Sequence, residues 1–268
     1  MADGKAGVTT TTAGGRRDLR ARAWAFYFAH RPWIVLGMAV YLILIHFAAA
    51  YQFWYSSWPG TIALRLGLGS QWAEFDSAYT TRRGQLRRLA DSLEPGAVLF
   101  VGDSLLNSLD VGALVDRAVQ LSIAGDTARR VNSRLYSYRL GDARLVVFHV
   151  GTNDLLYRKP GELQGSVARM LARVPAQVPV VLSALLPIDE RATDRYGNAE
   201  IRAANRGVEQ ACAARPGCTF VDAGRDLMDA SGGLDPRYHG GDGVHLNGAG
   251  NRVWRAALAP ILAPWRDR

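Results

Sequence analysis

The stretch at residues 97–105, Ala-Val-Leu-Phe-Val-Gly-Asp-Ser-Leu, decides the fold of this chain. Its apolar run at 97–101 predicts a buried strand, and Gly102 predicts a turn that leaves Ser104 at the carboxyl end of that strand. Ligands of open α/β sheets bind beyond this end of the strands. Ser104 is therefore a candidate nucleophile, although serine is also a common N-cap of helices.

Strands and helices alternate after this stretch. Apolar runs predict strands at 97–101, 118–123, 144–150, 179–185 and 218–222, and helices are predicted at 127–139, 161–173, 198–214 and 248–261. Continuous apolar runs such as residues 145–150 favour parallel strands that are covered on both faces. The predicted fold class is α/β, a three-layer α/β/α sandwich around a mostly parallel five-stranded sheet, preceded by one N-terminal transmembrane helix.

A second motif, Asp-Gly-Val-His-Leu-Asn at 242–247, supplies an acid and a base three positions apart. If this segment forms a turn, Asp242 reaches one ring nitrogen of His245, where it would fix the tautomer and stabilise the imidazolium. Asp242 could instead cap the helix predicted soon after it. His239 lies on the same glycine-rich loop and is the competing base, whereas His149 is predicted to lie in the core.

Four blocks together resemble the SGNH, or GDSL, hydrolase family. They are Gly-Asp-Ser-Leu at 102–105, Ser-Ile-Ala-Gly-Asp-Thr at 122–127, Gly-Thr-Asn-Asp at 151–154 and Asp-Gly-Val-His at 242–245. They stand in the order of the family and cover residues from about 97 to 250. One departure is Ser122, which stands near the position where the second block often carries asparagine.

The resemblance implies a serine hydrolase with a flavodoxin-like fold and assigns roles to individual residues. Ser104, Asp242 and His245 would be catalytic, and the oxyanion hole would be formed by Ser104, Gly125 and Asn153. Asp103 and Asp154 would support the neighbouring loops. No cofactor and no metal are expected, because the spacing of the acids and histidines near 239–245 is not specific for a metal site.

The expected activity is hydrolysis of acyl esters, with O-acetyl esters on envelope or exopolysaccharide glycans as the expected substrates. Two alternatives stay open. An acyltransferase would use the same triad with a sugar hydroxyl in place of water. A non-catalytic accessory subunit of a polysaccharide synthesis or export machine is disfavoured, because it need not keep all three residues of the triad.

The N-terminal region predicts export of the hydrolase domain. Residues 32–64 contain no Lys, Arg, Asp or Glu, and aromatic residues flank the apolar core at both ends, as expected for a membrane span. Arginines concentrate before the span, which places the N-terminus in the cytoplasm and the enzyme in the periplasm of a bacterial inner membrane. Ala-Ala-Ala at 48–50 offers the alternative of a cleaved signal peptide.

The predicted organisation is a basic cytoplasmic tail at 1–32, whose first 15 residues are expected to be disordered, and a transmembrane helix at 33–55. A juxtamembrane segment with the first helix, at 72–93, fills 56–95, and the hydrolase domain spans 96–268. The expected partners are the membrane, an ester-bearing glycan or lipid, and components of a polysaccharide machine.

The net charge and the cysteines indicate which partners and which compartment the sequence favours. The net charge is +8, but residues 1–33 carry six basic and two acidic side chains and so contribute half of it. No clustered basic face or recognition motif indicates nucleic-acid binding. Cys212 and Cys218 fit an oxidising compartment, either as a small disulfide loop or as two free buried thiols.

Overall fold

The computed structural model describes residues 13–55, 77–157 and 160–266, and the chain divides into two compact units, Met1–Pro59 and Gly60–Arg268. The described part of the first unit is one helix, α1, Ala13–Tyr55. Within it, Trp24–Ala50 is long and apolar enough to cross a membrane, a property that signal sequences share. The disorder expected for 1–15 is wrong for Ala13, Gly14 and Gly15, which form the first residues of α1, and residues 1–12 lie outside the described part.

The second unit is built on a five-stranded sheet in the order β2-β1-β3-β4-β5, with every neighbouring pair parallel. The prediction of a parallel five-stranded sheet is confirmed, with each strand inside or within one residue of its predicted range. The strands are β1 Val98–Gly102, β2 Ala118–Gln120, β3 Leu145–His149, β4 Val180–Ser183 and β5 Cys218–Val221.

Helices cover both faces of the sheet and complete the predicted three layers. The helices of this unit are α2 Ser77–Asp91, α3 Ser104–Asn107, α4 Ala128–Leu135, α5 Thr152–Leu156, α6 Pro160–Leu171, α7 Asn198–Ala213 and α8 Gly248–Leu262. One core joins one sheet face to α2, α4, α6 and α7, and a second core joins the other face to α3 and α8. The helix predicted at 72–93 is described only from Ser77, because residues 56–76 lie outside the described part.

Strand β1 shows how the sequence builds both cores and positions the serine. Leu99 and Val101 pack in the core on one face, and Val98 and Phe100 pack in the core on the other. At the end of the strand, a Cβ on Gly102 would lie 2.1 Å from the backbone oxygen of His149. Only glycine permits this approach of β1 to β3, and the chain turns into α3 directly afterwards.

A disulfide links Cys212, near the end of α7, to Cys218 at the start of β5. It closes the turn that leads from the helix layer to the edge strand of the sheet. The alternative of two free thiols, which the sequence left open, is therefore wrong.

Candidate active site

Three side chains from distant parts of the sequence meet at the carboxyl edge of the sheet. The Oγ of Ser104 lies 2.9 Å from Nε2 of His245, and Nδ1 of His245 lies 2.5 Å from Oδ2 of Asp242. Because the carboxylate can only accept, Nδ1 carries the proton and Nε2 is left to accept the proton of the serine hydroxyl. The structure thus brings together Ser104, Asp242 and His245 as a hydrogen-bonded chain.

The helices next to this site are capped by residues other than the three of the hydrogen-bonded chain. The Oδ1 of Asp103 accepts the N–H of Leu105 and caps α3, so Ser104 itself is not the N-cap. The Oδ1 of Asn247 accepts the N–H groups of Ala249 and Gly250 and caps α8. The alternative in which Asp242 caps a helix is therefore wrong, because Asp242 lies five positions before the cap.

Asp242 stays ionised in this setting. Partial burial acts to raise its pKa, but the hydrogen bond with His245 and the backbone N–H groups of Val244 and His245 outweigh it and lower the pKa of Asp242 to about 2. The Asp242 and His245 side chains are each 52% exposed. The pair therefore faces solvent and is held by hydrogen bonds more than by burial.

Asn153 lies in the same cleft as Ser104, whereas Gly125 does not line it. The side-chain amide of Asn153 donates one hydrogen bond, of 3.0 Å, to the backbone oxygen of Asp126, which leaves the second amide hydrogen available. The backbone N–H groups of Ser104 and Gly125 have no acceptor within the described part of the chain. Gly125 has a φ of +81°, which glycine adopts without strain.

Asp103 and Asp154 are both buried and hold neighbouring segments. Burial raises the pKa of Asp103 to about 8, although the Leu105 N–H acts against it. The Oδ2 of Asp154 accepts the N–H of Ala128 at 2.9 Å and so connects α5 to the start of α4. Burial raises the pKa of Asp154 to about 6.

The cleft around Ser104 has a volume of about 290 Å³ and mixed chemistry. Leu156 and Val244 supply apolar surface, and the segment 192–196 forms one wall. The lining residues are Ser104, Thr152, Asn153, Leu156, Ala192, Thr193, Arg195, Tyr196, Asp242, Val244 and His245. The sequence patterns did not show which loop aromatics face this cleft, and the structure places Tyr196 there.

A buried ion pair that sequence reasoning missed connects the segments around the nucleophile. The Nε of Arg134 lies 2.8 Å from Oδ2 of Asp126, and both side chains are fully buried. Arg134 also donates to the backbone oxygens of Leu121 and Gly102, at the ends of β2 and β1. Burial acts to lower the pKa of Arg134, but Asp126, Tyr138 and Tyr79 together outweigh it and raise the pKa. The Tyr79 hydroxyl donates to Asp126 at 2.8 Å and adds α2 to the network.

His239, the competing base of the sequence analysis, lies in a second His–Asp pair. Its Nε2 is 3.2 Å from Oδ2 of Asp189, and both side chains are more than nine-tenths buried. Its Nδ1 accepts the backbone N–H groups of Gly241 and Gly243. Nε2 must therefore carry the proton. The His239 ring shapes the turn that presents Asp242 and does not contact Ser104.

Metal ligands are not clustered at the site. Within residues 13–55, 77–157 and 160–266, no group of three His, Cys, Asp or Glu side chains is placed to hold a metal ion. His149, at the end of β3, is fully buried against Trp254 in an edge-to-face contact. Burial lowers the pKa of His149 to about 4, so its ring is neutral.

Residues 100–253 match the family described as GDSL-like Lipase/Acylhydrolase, which is more than half of the chain. The chain belongs to this family. Comparison with curated protein sequences gives no significant match. The family assignment makes the protein an ester-hydrolysing serine hydrolase.

Solved structures share the fold of this GDSL-family domain. A protein from Streptococcus pneumonia, described as a candidate platelet activating factor, is 23% identical with a TM-score of 0.62, over 68% of this chain and 92% of that one. A GDSL-like lipase from Bacteroides thetaiotaomicron is 20% identical with a TM-score of 0.57, over 68% of this chain and 97% of that one. A variant of an acetyl-xylooligosaccharide esterase from Geobacillus Stearmophilus is 18% identical with a TM-score of 0.51, over 65% of this chain and 96% of that one.

The buried ion pair gives a prediction for stability. Arg134→Met should lower the free energy of unfolding by about 3–5 kcal/mol, because it leaves the Asp126 carboxylate buried without its partner. Adding Asp126→Asn should recover part of the loss, since it removes the unpaired charge. Urea denaturation of both variants measures this. Arg139→Met is the control, because Arg139 is exposed, and should change stability by only about 0.5 kcal/mol. Equal effects at Arg134 and Arg139 would contradict the importance of the pair.

The second His–Asp pair gives a prediction for turnover. In His239→Asn the side-chain oxygen can replace Nδ1 as the acceptor for the two glycine N–H groups, whereas in His239→Gln the amide can only replace the donor to Asp189. Because the turn carries Asp242, we expect His239→Gln to lose up to roughly 100-fold in kcat and His239→Asn to lose less. Steady-state kinetics with thermal melts of each variant test the order. Identical kinetics for both variants and the parent would show that the turn keeps its shape without the ring.

Proposed function

We propose that Ser104 is the nucleophile of this esterase, His245 its general base and Asp242 the group that orients the base. The observation that carries the proposal is the 2.9 Å contact of the Ser104 Oγ with Nε2 of His245, whose Nδ1 is held by Asp242. A serine hydroxyl is unreactive without a base within hydrogen-bond reach, and here the base lies within that reach.

The reaction then proceeds in two steps. Ser104 Oγ attacks the acyl carbon while Nε2 of His245 takes the hydroxyl proton, and His245 returns that proton to the departing alcohol as the acyl-enzyme forms. Water next attacks the acyl carbon while Nε2 of His245 takes its proton; the bond from the acyl carbon to Oγ then breaks, His245 returns the proton to Ser104, and the carboxylic acid leaves. The half-exposed His245 supports hydrolysis as the second step, because water reaches Nε2 from the open cleft.

We assign the oxyanion hole to the side-chain amide of Asn153 and the backbone N–H groups of Ser104 and Gly125. Negative charge develops on the carbonyl oxygen during attack, and preorganised donors stabilise it. The free amide hydrogen of Asn153 and the two backbone N–H groups without acceptors support this assignment. The bond from Asn153 to the Asp126 oxygen would hold the amide in place for the reaction.

The substrate proposed is a short acyl ester, with O-acetyl groups on envelope or exopolysaccharide glycans as the first candidates. A cleft of about 290 Å³ has room for a short acyl group and part of an alcohol. The fold shared with an acetyl-xylooligosaccharide esterase shows that this scaffold accommodates acetylated sugars in another protein. Export to a glycan-rich compartment would place the enzyme beside such esters.

The location proposed is the periplasmic face of a bacterial inner membrane, with α1 as a single anchor and its N-terminus in the cytoplasm. The support is the apolar stretch Trp24–Ala50 and the excess of arginine before it. The Cys212–Cys218 disulfide fits an oxidising compartment. In this proposal, residues 1–32 form the tail, 33–55 the span, 56–95 the connecting segment and 96–268 the enzyme.

The catalytic assignment predicts a graded series of losses. A fluorophosphonate probe should label Ser104, and Ser104→Ala should abolish both labelling and nearly all ester turnover. His245→Ala should be almost as severe, because the hydroxyl loses its base, and the double variant should cost little more than either single change. Asn153→Ala should lower kcat by roughly 100- to 1000-fold with a smaller effect on KM, since it removes an oxyanion donor.

Ser108→Ala is the matched control, because Ser108 directly follows α3 and its hydroxyl donates to a backbone oxygen outside the cleft. It should keep the labelling and the turnover of the parent enzyme. Full turnover by a folded Ser104→Ala protein would end the assignment of the nucleophile.

The topology predicts the behaviour of reporter fusions. Alkaline phosphatase fused after residue 70 should be active, and a reporter that works only in the cytoplasm should be inactive at the same position, because the arginines hold the N-terminus inside. An inactive phosphatase in a well-expressed fusion would contradict export. A mature chain that begins near Tyr51 would replace the anchor by a cleaved signal peptide while leaving export in place.

A further inference from the structure

One wall of the cleft is a loop that is fixed to the turn carrying Asp242. The backbone N–H of Asp189 donates to the oxygen of Gly243 at 2.9 Å. Arg191 forms ion pairs with Asp189, at 2.7 Å, and Asp229, at 2.9 Å. The loop residues that line the cleft after this anchor are Ala192, Thr193, Arg195 and Tyr196. Their backbone is therefore held against the loop of the proposed base.

The cleft contains two ionised side chains, of which only one has partners in the protein. Its ionised groups are Asp242, whose oxygens accept from His245 and two backbone N–H groups, and Arg195. Arg195 is exposed and has no ion-pair partner in the described part of the chain. Arg191 and Arg237, by contrast, are each paired with an aspartate. One positive charge in the cleft is thus left without a protein partner.

Arg195 and Tyr196 line the same cleft as Ser104 and His245. Burial raises the pKa of Tyr196, and the carboxyl groups of Asp103 and Asp242 act in the same direction, whereas the Arg195 guanidinium acts in the opposite direction. The Tyr196 hydroxyl has no hydrogen-bond partner among the described residues. An arginine that lines the cleft of the reacting groups and has no ion-pair partner among the described residues favours an anionic ligand with a planar pair of oxygens.

We propose that Arg195 is a specificity-determining residue that binds an anionic group, carboxylate or phosphate, on the alcohol part of the ester. The proposal rests on the proposed function, because it places the alcohol beside His245. The alcohol oxygen must face Nε2 of His245 to receive the proton, and the Arg195 wall is joined to the His245 loop through the bond between Asp189 and Gly243. The substrate class is thus an acyl ester of an acidic alcohol, such as an acidic sugar.

The test compares two esters that differ in one charge, 4-acetoxybenzoate and its methyl ester. The measured quantity is the ratio of their kcat/KM values, which cancels any general damage to catalysis. Arg195→Gln should lower this ratio by about 10- to 100-fold, the size of a lost charge-assisted hydrogen bond. Arg195→Lys should lower it less, because the ammonium keeps the charge but not the planar fork. 4-Acetoxyphenyl phosphate shows which of the two anions the cleft prefers.

Arg202→Gln is the matched control, since Arg202 is an exposed arginine on α7 that lines a different cavity. It should leave the ratio and the turnover of the parent enzyme unchanged. Salt gives a second readout, because the ratio for the parent enzyme should fall as ionic strength rises and the ratio for Arg195→Gln should not.

The outcomes separate this inference from the proposed function. Turnover that depends on Ser104 together with an unchanged ratio in Arg195→Gln would overturn the role of Arg195 and leave the esterase intact. Full turnover by the Ser104→Ala protein would overturn the proposed function instead. Calorimetric binding of 4-acetoxybenzoate to the Ser104→Ala protein measures recognition without catalysis. Weaker binding after Arg195→Gln is then expected, and equal binding would contradict the inference.

Discussion

The buried ion pair between Arg134 and Asp126 is the interaction on which the arrangement of the nucleophile side of the cleft depends. Two charges without access to water are tolerated only when their remaining hydrogen-bonding capacity is satisfied. The backbone oxygens at the ends of β1 and β2 and the hydroxyls of Tyr79 and Tyr138 meet that requirement. Arg134 therefore fixes the spacing between the strand that ends at Gly102 and the loop that carries Gly125.

The opposite side of the cleft is organised by a different kind of contact. There the turn that presents Asp242 winds around the His239 ring, whose nitrogens bind two backbone N–H groups and Asp189. Gly243 has a φ of +76°, and a Cβ at this position would lie 2.7 Å from the Asp189 oxygen. The nucleophile side thus relies on a buried ion pair, and the base side on a buried His–Asp pair and a close backbone fit.

The sequence predicted the fold and the residues of the candidate site because each of the patterns involved lies within a short stretch of the chain. The apolar run before Gly102 predicted β1, and the motif at 242–247 contains both Asp242 and His245 within one turn. The strand ends were less well placed: β2 stops at Gln120, although the apolar pattern continues to Ile123. The backbone hydrogen bonds to β1 nevertheless continue past Gln120, because the N–H groups of Leu121 and Ile123 donate to the oxygens of Phe100 and Gly102.

The features that the sequence did not predict are contacts over long separations. Nothing in the sequence near Arg134 indicates that it contacts the ends of β1 and β2. Likewise, the sequence offers His239 as a competing base, and only the fold shows Asp189, 50 positions earlier, beside its ring. The same holds for Arg195, one of 32 basic residues in the chain. Only the fold distinguishes it. The nearby Arg191 is paired with two aspartates, whereas Arg195 lines the cleft without an ion pair in the described part of the chain. In a chain rich in arginine, this residue is distinguished by its place in the cleft together with its lack of an ion pair, and both are visible only in three dimensions.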